Sequence, residues 1–373
     1  MGGLTLTEAP MPIALALIIV LTILRVFRKK SKLSSHVLQE TKTAVPVAPP
    51  YTSITPLSKL DLENEPPLKL RPFKPTYHLT MALENLEIDE LVQVDKTYKS
   101  RVQLRRQILA EHPSTSEYRP GSEAAIQELY TWMMTIYLPR RFPTMYSLEK
   151  SDCPRYLYNK VTGGEIPLEP SNEREALLQL GSHVDTDFLI LLPSPVDGSY
   201  HLEAFVSCFP SGFSTLEKLG QTLAAIHKPV PGYEAKLEKS MDRFFAKIPV
   251  GRIVKRANWS ITTSDVLYAE SGNHLYVEEG DADQIVAKQK AEVHIPDCRL
   301  RCERQTLHRL PNTKALVFAF KTYQYTLAEL KAEGCGEELA TAAEGFEKGS
   351  VPEMSFYKRE VVWGDKVKEY LRS

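Results

Sequence analysis

Three short segments of the sequence concentrate residue types that bind metals or anions. The first, residues 208–211, begins with Cys208 and leads to a predicted helix that ends at His227. The second ends at Trp259, and the third, residues 301–311, is rich in arginine. Imidazoles and thiolates coordinate metals, and arginine binds carboxylates. These segments are therefore the candidate functional site.

The arginine-rich segment has the alternation of a β-strand. Side chains of a strand point to opposite faces in turn, which predicts one face with Glu303, Gln305 and Leu307 and another with Arg304, Thr306 and His308. Two interpretations remain open at this point. One face is simply solvated, or its arginines hold an anionic ligand such as a carboxylate or a propionate.

Composition and missing motifs exclude several other functions. The 46 Lys and Arg residues against 47 Asp and Glu residues give a formal net charge of −1, which argues against a nucleic-acid-binding protein. No glycine-rich phosphate loop, G-x-S-x-G or H-E-x-x-H motif is present. Cys298 and Cys302 lack a second Cys or His pair at zinc-finger spacing.

The surrounding pattern predicts an α+β fold with mainly antiparallel strands. Apolar periodicity and turn residues indicate helices and strands, with Pro139 ending one helix and Ser214 starting another through a capping box. The predicted helices are residues 88–110, 121–138 and 214–227, and the predicted strands are residues 186–192, 200–209, 260–268, 301–309 and 315–324. The last two strands form a predicted hairpin around residues 311–313.

The first 73 residues of the sequence predict a membrane anchor and a linker ahead of the folded domain. Residues 9–24 carry no charge, and a basic cluster follows them. A signal peptide would have its basic residues before the apolar run, so we expect one uncleaved transmembrane helix in residues 1–32. Residues 33–73 are rich in proline and predict an extended linker. Residues 74–373 are then the folded domain, on the cytosolic face of the endoplasmic reticulum membrane.

The candidate segments resemble the family of the haem-dependent oxidative N-demethylase alpha subunit, which is found in bacteria and fungi. The resemblance runs from residue 74 to about residue 330 and rests on the order and spacing of residues 74–83, 105–106, 137–143, 208–211, 227–233, 258–259 and 303–307. It implies a PAS-like domain that holds haem b and uses dioxygen and supplied electrons to demethylate a small amine. The sequence departs from the family pattern at His308, Lys321 and residues 185–187.

For the haem, His227 is the predicted iron ligand, with Cys208 as the alternative. Arg304 and Arg309 are candidates for the propionates, and Trp259 is a candidate to line the haem. Each has a structural alternative: a helix cap for His227, core packing for Cys208 and Trp259, and a solvated face for the arginines. The chain carries no flavin, nicotinamide or iron–sulfur motif, so a reductase would supply the electrons.

Two functions of different classes follow from the resemblance. One is an oxidoreductase that acts on a small-molecule substrate, such as an amine or a specialised metabolite. The other is a sensor or binding module that kept the PAS-like fold and binds haem or another small ligand without catalysis. A scaffold without haem is a third, weaker interpretation.

Overall fold

The computed structural model describes residues 51–276 and 282–373. Its centre is a seven-stranded antiparallel sheet with the order β1-β8-β9-β10-β6-β7-β2, and a separate three-stranded sheet has the order β3-β4-β5. The strands are β1 Glu84–Leu86, β2 Ser116–Tyr118, β3 Tyr146–Leu148, β4 Tyr156–Asn159, β5 Gly164–Pro167, β6 Asp187–Pro193, β7 Tyr200–Val206, β8 Ile253–Thr262, β9 Arg299–Arg309 and β10 Leu316–Thr326. The predicted α+β class with a mainly antiparallel sheet is confirmed.

Twelve α-helices of the described residues flank these sheets. They are α1 Tyr98–Glu111, α2 Glu123–Trp132, α3 Leu138–Arg141, α4 Glu173–His183, α5 Thr215–Lys218, α6 Leu223–His227, α7 Lys239–Lys247, α8 Ala282–Glu292, α9 Leu327–Ala332, α10 Gly336–Glu344, α11 Met354–Tyr357 and α12 Glu360–Arg372. Within residues 51–276 and 282–373, none of the helices is long and apolar enough to cross a bilayer. The predicted anchor, residues 1–32, lies outside the described residues.

Alternate residues of the main strands feed two apolar cores on opposite faces of the sheet. Ile190 and Val317 belong to a core with α1, α2 and α4. Their neighbours Leu191 and Leu316 belong to a second core with α7, α9, α10 and α12. This alternation is the period of two that a strand buried on both faces requires.

Residues 51–73, which fell in the predicted linker, lie against both cores. Tyr51 is fully buried in the first core, and Leu57 packs beside it. Leu70 and Phe73 pack against the second core. The Pro-rich composition hid these apolar side chains, which are spaced too irregularly to show a periodic pattern. The earlier part of the predicted linker lies outside the described residues.

Two predicted helices were wrong in their extent. Pro139 does not end its helix, because a π-turn over Met133–Tyr137 changes the hydrogen-bond register, and the helix continues to Arg141. The helix predicted over residues 214–227 is two short helices. Between them Gly220, at φ +79°, donates its N–H to the carbonyl of Leu202 across 2.6 Å, so this segment pairs with β7.

Two other predicted elements also differ from the structure. Strand β8 covers residues 253–262, earlier than the predicted 260–268. The helix predicted over residues 88–110 is a 3₁₀ turn at Ile88–Glu90 followed by α1. A buried carboxylate interrupts it: Asp95 accepts hydrogen bonds from the backbone N–H and the hydroxyl of Thr97.

A group of buried ion pairs joins the start of strand β6 to helix α1 and strand β10. The guanidinium of Arg105 lies 2.6 Å from Asp187, and the ammonium of Lys321 lies 2.7 Å from Asp95 and 3.2 Å from Asp185. All five side chains are at most 3% exposed. Such pairs are costly to break, because the remaining partner would be a buried, uncompensated charge.

Candidate functional site: a cavity lined by cations and imidazoles

A cavity of about 780 Å³ lies on the face of the seven-stranded sheet that carries the second core. This volume is in the usual range for a small-molecule or cofactor site. Its floor is formed by β8 and β9, and its walls by the segment before β1, the loop after β7, α6 and the residues that follow it. Most of the wall is apolar, with residues such as Leu79, Met81, Leu191, Leu202, Val254 and Leu307.

The cavity floor consists of polar pairs across two neighbouring strands. The register of β8 and β9 places Arg256 opposite Gln305 and Asn258 opposite Glu303. Gln305 donates its side-chain N–H to the Glu303 carboxylate across 2.9 Å. The prediction that Glu303, Gln305 and Leu307 share one face is confirmed, since all three line the cavity. The strand register thus fixes the positions of polar side chains on the floor of a cavity whose walls are mostly apolar.

His227 lines this cavity at the end of α6. Its Nδ1 lies 2.8 Å from the carbonyl oxygen of Leu223, and a carbonyl only accepts, so Nδ1 carries the proton. The ring stacks on Tyr233 with centroids 4.8 Å apart. Burial lowers the pKa of His227 to about 4. The imidazole is therefore neutral at pH 7, with the lone pair on Nε2.

Trp259 also lines the cavity and is 7% exposed. Its ring meets Phe346 at a centroid distance of 5.0 Å and Phe73 at 5.7 Å. The residue therefore packs into the second core and contributes to the cavity wall at the same time. The two interpretations of Trp259 from the sequence are compatible.

The structure does not bring Arg304 and Arg309 to the cavity. Arg304 donates to the backbone carbonyls of Glu90 and Leu91, on the other face of the sheet. Arg309 donates to several groups, which include the carbonyl of Ile248 and the hydroxyl of Tyr200, both across 2.8 Å. Both guanidinium groups thus bind parts of the fold.

Cys208 is fully buried in the first core and is absent from the cavity lining. Burial raises the pKa of its thiol to about 12, so the thiol is protonated at pH 7. Its backbone N–H donates to Asp187 across 2.9 Å. The geometry thus gives Cys208 a packing role.

Arg256 and Lys218 also line the cavity, and neither has a carboxylate partner in the part of the chain that the structure describes. Arg256 is half-buried, and its Nε is buried without a hydrogen-bond partner. The ammonium of Lys218 lies 3.8 Å from the ring centroid of Phe213, and burial lowers its pKa to about 8. The alternation of β8 could have indicated Arg256. Lys218 carried no signal in the sequence.

Lys358 is another cation on the wall, and its ammonium is hydrogen-bonded to other parts of the protein. Its ammonium donates to the side-chain oxygen of Asn258 across 3.0 Å and to the carbonyl of Trp259. Burial lowers the pKa of Lys358 to about 8. This lysine joins the segment before α12 to strand β8, and so it fixes one wall of the cavity to its floor.

In the described residues, the α+β fold thus encloses a large cavity with a neutral imidazole and with cations that have no carboxylate partner at its wall. A family model described as "Haem-dependent oxidative N-demethylase, alpha subunit-like" matches residues 82–368, more than half of the chain. The chain belongs to this family, as the candidate segments predicted.

The family name implies dependence on haem, and the residues of the cavity fit that group. A haem needs a nitrogen, sulfur or oxygen ligand for its iron, apolar walls and partners for two propionates. His227 offers Nε2, the walls are mostly apolar, and the Nε of Arg256 is a buried donor that has no acceptor among residues 51–276 and 282–373. The chain thus supplies each requirement at one place.

Proposed function

We propose that this protein is a haem-dependent oxidoreductase that uses dioxygen to remove a methyl group from a small amine or a specialised metabolite. The observation that carries the proposal is the neutral imidazole of His227, oriented by the Leu223 carbonyl at the wall of a cavity of about 780 Å³. A hydrogen bond from one ring nitrogen to a backbone carbonyl sets the tautomer that leaves the other nitrogen free to bind a metal.

Different residues of the cavity would have different roles. His227 would hold the iron, and Arg256 and Lys218 would neutralise the propionates in place of the predicted Arg304 and Arg309. Leu79, Met81 and similar side chains exclude water from the chamber. Haem b, when bound, supplies the activation of dioxygen. A small amine would lie near Glu303, the carboxylate on the cavity floor.

The strand arrangement supports the PAS-like fold that the family resemblance implies. A hairpin of β6 and β7 comes first, and helices then cross one face of the sheet. The chain next adds β8, β9 and β10, and β10 pairs with β6. The helical connection between β7 and β8 forms a wall of the cavity. Ligands of such a fold would lie between this wall and the sheet.

The location and electron supply also belong to the proposal. The uncharged run in residues 9–24, followed by basic residues, supports a single-pass anchor in the endoplasmic reticulum membrane, with the C-terminal domain in the cytosol. Since no flavin or iron–sulfur motif occurs in the sequence, a reductase on the same membrane face would be the electron donor.

The test is an absorption spectrum of the full-length protein, expressed with haem supply and purified in detergent. We expect a Soret band that is lost or shifted in His227→Ala and unchanged in Cys208→Ser. Oxygen-dependent release of formaldehyde from N-methyl amines would establish catalysis. A haem spectrum without formaldehyde release from any amine would favour the sensor module, and a colourless protein would reject both.

A further inference from the structure

The floor of the cavity changes from apolar to charged along strands β8 and β9. Four cross-strand pairs line it in succession: Val254 with Leu307, Arg256 with Gln305, Asn258 with Glu303, and Ser260 with Arg301. Successive pairs are two residues apart, which is about 7 Å along a strand. The proposed haem contacts use Arg256, so the last two pairs are the part of the floor that is left for a substrate.

Glu303 is a buried carboxylate that has no ion pair in the described residues. The residue is 8% exposed and lines the cavity. Its side chain accepts one hydrogen bond, from the amide of Gln305 across 2.9 Å. The buried ion pairs of residues 51–276 and 282–373 use other carboxylates. A buried carboxylate is costly without a charged partner, so Glu303 favours a ligand that brings an ammonium group.

Two cations lie beside this carboxylate and form no ion pair with it. Arg301 precedes Glu303 by two residues on the same strand face, about 7 Å away. Lys358 donates to the side chain of Asn258, the residue directly opposite Glu303. Burial lowers the pKa of both cations, and the charge of Glu303 acts in the opposite direction. Each cation is therefore within electrostatic reach of the carboxylate.

Both cations keep a donor that a ligand can use. Arg301 donates from its two terminal nitrogens to backbone carbonyls of the loops after β7 and β8, whereas its Nε is buried without an acceptor in the described residues. An ammonium has three donors, and Lys358 uses two of them on Asn258 and Trp259. Two positive charges thus stand against one negative charge here, and a ligand gains from an anionic group as well.

We propose that the substrate is an N-methylated amino acid, which binds as a zwitterion with its ammonium at Glu303 and its carboxylate at Arg301 and Lys358. This inference rests on the proposed function and names its substrate class. In the reaction, R–NH–CH3, dioxygen, two electrons from the reductase and two protons give R–NH2, formaldehyde and water. The bond between nitrogen and the methyl carbon breaks, and that carbon is oxidised to formaldehyde. One oxygen atom of dioxygen enters formaldehyde, and the other is reduced to water.

The first test compares three ligands on the full-length wild type with haem, in detergent, by isothermal titration calorimetry. N-methyl-L-alanine carries both charges. N-methyl-L-alaninamide lacks the carboxylate, and 2-methylbutanoate has a CH2 group in place of the ammonium. We expect N-methylalanine to bind at least about 10-fold more tightly than either analogue, because each analogue lacks one ion pair. Equal affinity for the amide would overturn the carboxylate contact, and equal affinity for 2-methylbutanoate would overturn the ammonium contact.

The second test uses variants that remove one contact each. Glu303→Gln should weaken binding of N-methylalanine at least about 10-fold and leave 2-methylbutanoate unchanged. Lys358→Met should weaken both carboxylates and leave the amide unchanged. Lys255→Met is the control for Lys358→Met, since Lys255 lines the same cavity and pairs with Glu84 and Glu90. If circular dichroism shows that Lys358→Met is unfolded, the comparison of ligands on the wild type decides alone.

The outcomes separate this inference from the proposed function. A protein that binds the three ligands in the expected order but releases no formaldehyde from N-methylalanine would keep the zwitterion site and reject the oxidoreductase. A haem protein that releases formaldehyde from N-methylalaninamide as fast as from N-methylalanine would keep the oxidoreductase and reject the zwitterion. A protein that binds none of the three ligands would also overturn the inference.

Discussion

The fully buried guanidinium of Arg105 and the carboxylate of Asp187 lie 2.6 Å apart, at the start of strand β6. The same carboxylate accepts the backbone N–H groups of Cys208 and Phe209 across 2.9 and 2.8 Å. The pair therefore holds the loop after β7, and this loop continues to Gly212 at the cavity wall. A buried charge in the first core thus positions a wall of the cavity on the other face of the sheet.

We expect Asp187→Ala to lower the free energy of unfolding by about 3–5 kcal/mol, because it leaves the Arg105 charge buried and unpaired. Urea denaturation followed by circular dichroism measures the effect. Lys348→Ala is the control, since its ion pair with Glu344 is exposed and should cost less than about 1 kcal/mol. Equal losses in the two variants would contradict the structural role of the buried pair.

Stability should decrease as the pH falls from about 6.5 to about 4, partly through His308. Burial lowers the pKa of His308 to about 4, so in this window the unfolded chain binds a proton that the folded chain does not. The contribution is about 3 kcal/mol across the window. Asp185, whose pKa its basic neighbours hold at about 2 despite burial, loses its contribution only below pH 4.

The matched variant for this prediction is His308→Phe, which retains a ring and cannot be protonated. It removes the hydrogen bond to Tyr51, whose hydroxyl lies 3.0 Å from His308 Nδ1. Its stability at pH 7 should therefore be lower, and its slope between pH 6.5 and 4 should be shallower. Parallel curves for the two proteins would show that His308 is not the group that titrates.

Removal of residues 1–46 should leave the melting temperature of the folded domain unchanged, because the described cores contain side chains from Tyr51 onwards. Removal of residues 1–73 should destabilise the domain by at least about 3 kcal/mol, since it deletes the buried Tyr51. The carbonyl of Tyr51 also accepts the indole N–H of Trp132. Equal melting temperatures for the two truncated chains would contradict the packing of this segment.

Arg256→Met should weaken haem retention by about 10-fold or more, because a charged donor to a propionate is lost. Arg304→Met is the matched comparison, since it changes the other face of the sheet and should affect stability more than haem retention. Transfer of haem to apomyoglobin measures the difference. Faster haem loss from Arg304→Met than from Arg256→Met would return the propionate role to the residue that the sequence suggested.

Local pattern was enough to predict the hairpin of β9 and β10. Its two strands are separated by the turn residues 311–313, and the alternation in β9 assigned Glu303 and Gln305 to the same face. Local pattern also placed His227 at a helix end. These are features that depend on neighbours within a few residues.

The positions of Arg304 and Arg309 could not be predicted from local sequence pattern. Arg304 and Arg309 stand beside conspicuous polar residues, but backbone carbonyls from distant parts of the chain bind them. Lys218 and His274 reach the cavity only because helix α5 and the loop after β8 fold onto the same face of the sheet. Tertiary contacts of this kind leave no periodic trace in the sequence.

Tyr77 and Lys358 line the same cavity from near the two ends of the described chain. Until the segment that contains Lys358 has been synthesised, the nascent chain therefore lacks one wall of the cavity. A ligand that needs the whole enclosure could be captured only after the segment that contains Lys358 has been synthesised and has folded onto the cavity. Contacts this distant in sequence also form late in folding, so an empty, fully folded protein is the form that would receive its cofactor.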